Sequence, residues 1–406
     1  MSVKTLFLLT LISGSLALQG YKILEISPRT TEEQNTVESL ISTYDFLKFS
    51  RVGPSQVLVS HDQFAQLLQT LVNISSEVIN DNVLRDVVKD NNDNEIFCIS
   101  ARMGTDCYRS HLEINNYIED LQRRFPHRVF VKQVGYTFEN RALKTITVTN
   151  GDGRKNKPVI FVDAGMHARE WISPATGIYV IQQLVEHFDN NKNLLKDHDW
   201  VVMPMINADG YEFTRSDPSN RFWRKNRKSY SEKCDGVDLN RNFDYMYGVS
   251  GTSSDPCADT FKGPGPFSEP ESTVVRDVLL SLKGRTSFYL SLHSYGPYFL
   301  HPWSYAKVDA PNDEELSDVA RAGYEAILAY GGRVYKYGNT AKLTYAAAGE
   351  SSDYAYAVAG ARISVTMELP SGGKKGFDPP PQDIKPYVEE AWVGIEAMAM
   401  RVIEKY

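Results

Sequence analysis

The chain has 406 residues, 42% hydrophobic and 23% charged, a balance that supports one large core plus a smaller domain and excludes a chain dominated by disorder. Its formal net charge of -7, with no basic stripe, excludes nucleic acid as a partner, because a phosphate-binding surface needs clustered Lys and Arg.

In chain order, Lys4 precedes an apolar stretch from Leu6 to Ile12, and the small residues Ser15 and Ala17 precede a polar boundary. This pattern predicts a secretory signal over residues 1–17, cut near Ala17 and too short to span a membrane. No later segment could span a bilayer, so a secreted, extracellular chain without a membrane contact is expected. Four cysteines in an exported chain allow three pairings. Cys234 and Cys257 flank a Gly/Ser/Asp-rich loop and are the first choice for a disulfide; Cys98 and Cys107 form either a second bridge or two free thiols. Asn73-Ile74-Ser75 is a glycosylation sequon.

From Tyr21 to about Asn80 the pattern predicts a short strand, a helix starting near Thr30, strands around Phe46 and over Gln56 to Ser60, a helix from His61 to Leu71 and a strand near Val78. This alternation suits a small two-layer α+β domain of ferredoxin-like type. It holds no cluster of catalytic residues. The polar segment "VVKDNNDNEIFCISARMGTDC" then reads as a linker in which Arg102 is a protease target. The domain boundaries follow as 1–17, 18–102 and 103–406.

Beyond Tyr108, strands and helices alternate as in an α/β domain with a mixed, mostly parallel sheet flanked by helices. "PVIFVDAG" leads into "SPATGIYVIQQLVEHF", where Ser173 is placed to cap, Pro174 suits the first turn, and Ile178, Ile181, Leu184, Val185 and Phe188 follow helical spacing. "DWVVMPMINADG", "TSFYLSLHSYG" and "ARISVTMELPSG" are further strands with polar ends. Sites in open α/β sheets form outside the carboxyl ends of strands. There the chain places His167, Arg169 and Glu170, then Asn207 and Asp209, then His293, and finally Glu368. Two histidines and a glutamate suit a catalytic zinc with a position left for water, and a further glutamate suits a general base. His187 and His301 read as structural.

"HAREW", "NRFWRKNR", "GVDLNRNF", "LHSYG", "TYAAAGESSDY" and "TMELP", in this order, resemble the secreted metallocarboxypeptidases of the carboxypeptidase A/B type in their procarboxypeptidase form, from about Tyr21 to the end. Carboxypeptidase A is itself the standard example of a His₂Glu zinc site, so the ligand assignment is carried by the resemblance. It implies one zinc per chain held by His167, Glu170 and His293, with Glu368 as general base and Arg224 polarising the scissile carbonyl. It also implies that Asn240 and Arg241 bind the substrate's terminal carboxylate, Tyr345 caps it, Arg169 assists, and Tyr295 forms a subsite wall. Residues 18–102 become an inhibitory prosegment, released by a trypsin-like protease cutting after Arg102, with Arg109 the alternative. A monomer acting on peptide C-termini is expected.

The resemblance further implies a specificity pocket lined by Ser304, Thr340, Ala347, Ser352 and Thr366, with Ser352 where basic-specific relatives hold an acid. A neutral pocket predicts an A-type preference for aromatic and aliphatic C-terminal residues; the alternative, with Asp353 turned inward as the acid, is a B-type preference for Lys and Arg. Two rivals differ in class: an inactive protein that grips peptide C-termini, and a regulatory carboxypeptidase without a prosegment, against which residues 21–100 argue.

Overall fold

The computed structural model describes residues 20–51, 53–85, 87–88, 106–231, 234–372 and 376–406. The expected signal, Arg102 and Cys98 lie outside the described residues. Near the N-terminus, β1 (Lys22–Ser27), β2 (Asp45–Lys48), β3 (Ser55–Val59) and β4 (Ser75–Asn80) form an antiparallel sheet in the order β2-β3-β1-β4. With α1 (Thr31–Ser39) and α2 (His61–Thr70) this is the β-α-β-β-α-β arrangement of ferredoxin-like domains. The caps come from the sequence: Thr30 and Ser60 hydroxyls accept from the backbone N–H of Glu33 and Gln63. Inward positions on the strands, Leu24, Ile26, Val57 and Val59, meet Val37 and Leu67 of the helices in one core.

The larger body is built on eight strands in the order β11-β10-β12-β9-β7-β8-β6-β5. These are β5 (Val129–Tyr136), β6 (Ala142–Val148), β7 (Val159–Ala164), β8 (Asp199–Met203), β9 (Thr286–Ser294), β10 (Tyr298–His301), β11 (Lys336–Asn339) and β12 (Ile363–Leu369). The central strands β8, β7, β9 and β12 run parallel, while β5, β6 and β10 introduce antiparallel pairs. Every residue of β7 and β8 is buried, as expected of strands with apolar runs in a sheet covered by helices on both faces.

Helix α3 (His111–Arg124) opens with a capping box in which Ser110 and Glu113 satisfy each other's backbone N–H groups. The helix after β7, α4, spans Ile172–Val185 and corrects two expectations. Ser173 does not cap it: its hydroxyl donates to the carbonyl of Leu292 at 2.5 Å and accepts from the N–H of Gly165 at 2.9 Å, stapling the helix to the strand ends. Phe188 opens a separate helix, α5 (Phe188–Leu195). Cys234 and Cys257 form a disulfide. Cys107 is also disulfide-bonded. No helix among the described residues is long and apolar enough to cross a membrane.

Candidate active site

Parallel pairing of β7, β9 and β12 puts three strand ends side by side. Glu368 of β12 stands opposite His293 of β9 in the ladder, and the chain leaving β7 turns at Gly165, where φ is +69°, to present His167 and Glu170 to the same place. A Cβ at Gly165 would lie 3.0 Å from Met205 and 3.1 Å from Pro174, so glycine suits both the turn and the packing.

Glu170 Oε1 lies 2.7 Å from His167 Nδ1, and its Oε2 lies 3.1 Å from His293 Nδ1. Oε2 also accepts the N–H of Ser294 at 3.1 Å. All three residues are buried, and their ligand atoms lie within 4.8 Å of one another. Whether they suit a cation is decided by Asp238, whose Oδ1 lies 3.1 Å from His167 Nε2. An ionised carboxylate can only accept, so His167 donates from Nε2 and keeps its lone pair on Nδ1. That lone pair faces a Glu170 oxygen and a second imidazole nitrogen 3.1 Å away. Acceptors crowded this closely repel unless a cation lies between them, and an imidazole oriented by a buried carboxylate is the usual support of a metal ligand. Burial opposes charge on His293, yet Glu170 and, more weakly, Glu368 hold its pKa up to about 9, so without a metal ion a proton takes the place of the cation. The site draws positive charge.

Around this cluster stand the other expected residues. Glu368 Oε2 is enclosed and, among the described residues, has no hydrogen-bond partner. Burial pushes its carboxyl up, His293 opposes and Glu170 adds, leaving it at about 7, where a carboxylate can both take and return a proton. Arg224 donates from Nε and Nη2 to Asp238 Oδ2 at 3.1 and 2.9 Å, and its Nη1 lies 3.8 Å from Glu170. Arg241 donates to the carbonyls of Gly251 and Asn240, to Tyr345 Oη at 3.1 Å and to Glu350 Oε1 at 3.2 Å. The carboxamide oxygen of Asn240 accepts the N–H of Ser351, which leaves its NH₂ as a donor.

His167, Arg169, Glu170, Arg224, Asn240, Arg241, His293, Tyr295, Tyr345 and Glu368 all line one cleft. Thr340, Ala347 and Thr366 line it too. Ser304 and Ser352 lie buried, with hydroxyls that have no hydrogen-bond partner among the described residues. Asp353, fully buried, accepts the backbone N–H groups of Ser304 and Tyr305, so its oxygens are engaged with the backbone. Asn207 caps α6 (Ala208–Ser216), and Asp209 binds Thr137, Glu139 and Arg141; both strand-end residues are structural. His301 pairs with Ser317, and His187 is exposed ahead of α5.

The small N-terminal domain reaches into this cleft. Phe46, Leu47, Lys48 and Phe49 line it; Asp45 accepts from Arg169 at 2.9 and 3.0 Å; Tyr295 donates to Gln56 at 3.2 Å. Phe49 meets Tyr345 edge to face at 5.4 Å. Arg109 is buried and pairs with Glu113.

Sequence reasoning missed Asp238, Asp259 and Glu350. Asp238 stands inside "GVDLNRNF", and the rule that a ligating histidine needs a carboxylate behind it would have singled it out. Asp259, a second acid on Arg169 at 3.2 Å, and Glu350 lie in polar turns that read as solvated.

A zinc carboxypeptidase family model matches residues 114–394. The chain belongs to the zinc carboxypeptidase family. Carboxypeptidase B of Helicoverpa zea is 36% identical over 407 aligned residues, covering 94% of each chain. Zinc carboxypeptidase A 1 of Anopheles gambiae is 32% identical, covering 91% of this chain and 87% of that one. The crystal structure of the carboxypeptidase A from Helicoverpa armigera matches with a TM-score of 0.88 at 29% identity, over 95% of this chain and 98% of that one. This zinc carboxypeptidase is therefore a metalloprotease that hydrolyses peptides from their C-terminal end, on an α/β fold. The family implies zinc, and the His-Glu-His cluster suits it. Relatives named A and named B match at similar identity.

Proposed function

We propose that this zinc carboxypeptidase is a secreted exopeptidase made as a zymogen, holding one zinc through His167, Glu170 and His293 and preferring aromatic or aliphatic C-terminal residues. The observation that carries the catalytic part is the crowded His167–Glu170–His293 cluster beside Glu368, whose enclosed Oε2 has no partner among the described residues. Zinc bound there would supply Lewis acidity, acidifying a water and polarising the scissile carbonyl.

The chain's own residues do the rest. Arg241, with Asn240 and the Tyr345 hydroxyl, fixes the substrate's terminal carboxylate by charge-assisted hydrogen bonds. A peptide without that carboxylate forgoes these charge-assisted hydrogen bonds and binds more weakly. Glu368 accepts the proton of the attacking water and passes it to the leaving amine. Arg224 donates to the carbonyl oxygen as negative charge develops on it. Arg169 and Tyr295 flank the bound peptide.

Residues 18–102 act as an inhibitory prosegment, following a signal at 1–17 and leaving 103–406 as the mature enzyme. The prosegment contacts at Asp45, Phe49 and Gln56 support this, and so does the buried state of Arg109, which leaves the Arg102 bond as the better target for a trypsin-like protease. The apolar preference is supported by Thr340, Ala347 and Thr366 in the cleft and by uncharged Ser352. Apolar side chains gain about 25 cal/mol per Å² of surface buried there. The test compares a blocked dipeptide ending in Phe with its C-terminal amide, using protein before and after trypsin. Turnover of the free acid only after the cut, and its loss to a zinc chelator, is expected; cleavage of the amide at equal rate would overturn the reading.

A further inference from the structure

One acidic side chain in the cleft has no part in the scheme above. Glu350 is 8% exposed and stands just before α7 (Ser351–Ala357), whose N-terminus its side chain does not cap. Its carboxylate lines the cleft with Thr340, Ala347 and Thr366. Oε1 accepts from Arg241 at 3.2 Å; among the described residues Oε2 accepts no hydrogen bond. Its negative charge acts on Glu368, Asp353 and Arg241, so it sits between the carboxylate clamp and the pocket.

We infer that Glu350 is a specificity-determining residue that adds C-terminal Lys and Arg to the accepted substrates. The inference rests on the exopeptidase reading. In the free site, Glu350 and Arg241 compensate each other. When a peptide's terminal carboxylate takes the guanidinium, one positive charge serves two carboxylates, and Glu350 is left under-compensated in a pocket closed to water. An apolar side chain buries it in that state. A C-terminal ammonium or guanidinium supplies the missing charge and makes a charge-assisted hydrogen bond to the open Oε2. Neither neighbouring candidate can do this: Ser352 carries no charge, and Asp353 is engaged by the backbone N–H groups of Ser304 and Tyr305.

The trypsin-treated, zinc-loaded protein is assayed on paired blocked dipeptides ending in Lys and in Phe. Glu350→Gln should lower the ratio of kcat/KM for Lys over Phe at least tenfold, and Glu350→Asp should restore part of it. Competition by N-acyl-lysine and N-acyl-phenylalanine, read by calorimetry, should show the same shift in relative affinity without turnover. A ratio unchanged within twofold in Glu350→Gln overturns the inference, because Glu350 is then only a counter-ion of Arg241. Wild-type protein that cleaves the Phe substrate and leaves the Lys substrate untouched also overturns it, whereas failure to cleave either substrate strikes the exopeptidase reading.

Discussion

Asp45 of the small domain and Arg169 of the catalytic body meet at 2.9 Å, three positions along the chain from Lys48 at the cleft and one residue before Glu170. Arg169 is also 3.2 Å from Asp259, so one buried guanidinium serves two carboxylates. At about pH 5, below the range in which this contribution is lost, replacing Asp45 with Ala removes one hydrogen bond to a charged group while Asp259 keeps Arg169 paired. A loss of about 2 kcal/mol in docking follows, or roughly thirtyfold more open molecules. The expected outcome is measurable activity in the uncut chain; an uncut variant as silent as wild type would refute it.

The same pair carries a pH dependence whose sign is fixed. Burial first pushes the docked Asp45 carboxyl up, Arg169 opposes and Asp259 adds, leaving it at about 7 against an ordinary 3.8. Docking thus favours the protonated form, so this contribution is fully present below about pH 4 and is lost as pH rises through 7. Hydrogen exchange of residues 45–49, corrected for the intrinsic pH effect, should be slower at pH 5 than at pH 8, and Asp45→Asn should flatten the difference.

Asp238 holds His167 and Arg224 at once. Asp238→Asn should lower zinc affinity about 10–100-fold, the usual effect of losing a ligand's supporting carboxylate. Competition with a chromophoric chelator measures it. Zinc retention at wild-type affinity would show that the ring of His167 is oriented by something else.

Glu368→Gln keeps the side chain's shape and removes the proton acceptor, so turnover should fall about 10²–10⁴-fold with peptide binding preserved. Near-normal kcat in that variant would exclude Glu368 as the base.

A C-terminal amide cannot engage Arg241 as a carboxylate does. Its kcat/KM should be lower by about 10–200-fold, from the 1.5–3 kcal/mol of a hydrogen bond to a charged group. Arg241→Gln should narrow this gap between acid and amide, as steady-state kinetics would reveal.

The sequence by itself determined the local features. The ferredoxin-like order was legible because Thr30 and Ser60 cap helices with their own near neighbours and the strands alternate between inward and outward residues. The central α/β strands were legible because buried parallel strands carry apolar runs, Val159–Val162 in β7 and Trp200–Met203 in β8. His167 and Glu170 could be paired from their spacing, since one turn joins them. His293 and Glu368 were singled out by their places at strand ends, but their roles beside His167 and Glu170 were assigned through resemblance, because nothing in a separation of many residues says that β9 and β12 lie side by side. Only the tertiary structure decided that pairing, the redirection of Ser173 from cap to strand staple, the burial of Asp353 against backbone N–H groups, and the presence of Glu350 beside Arg241. Each of these depends on long-range packing. A carboxylate in a polar turn such as "GESSDY" reads as solvated until another part of the chain removes its water, and burial against a distant guanidinium is what turns it into part of a site.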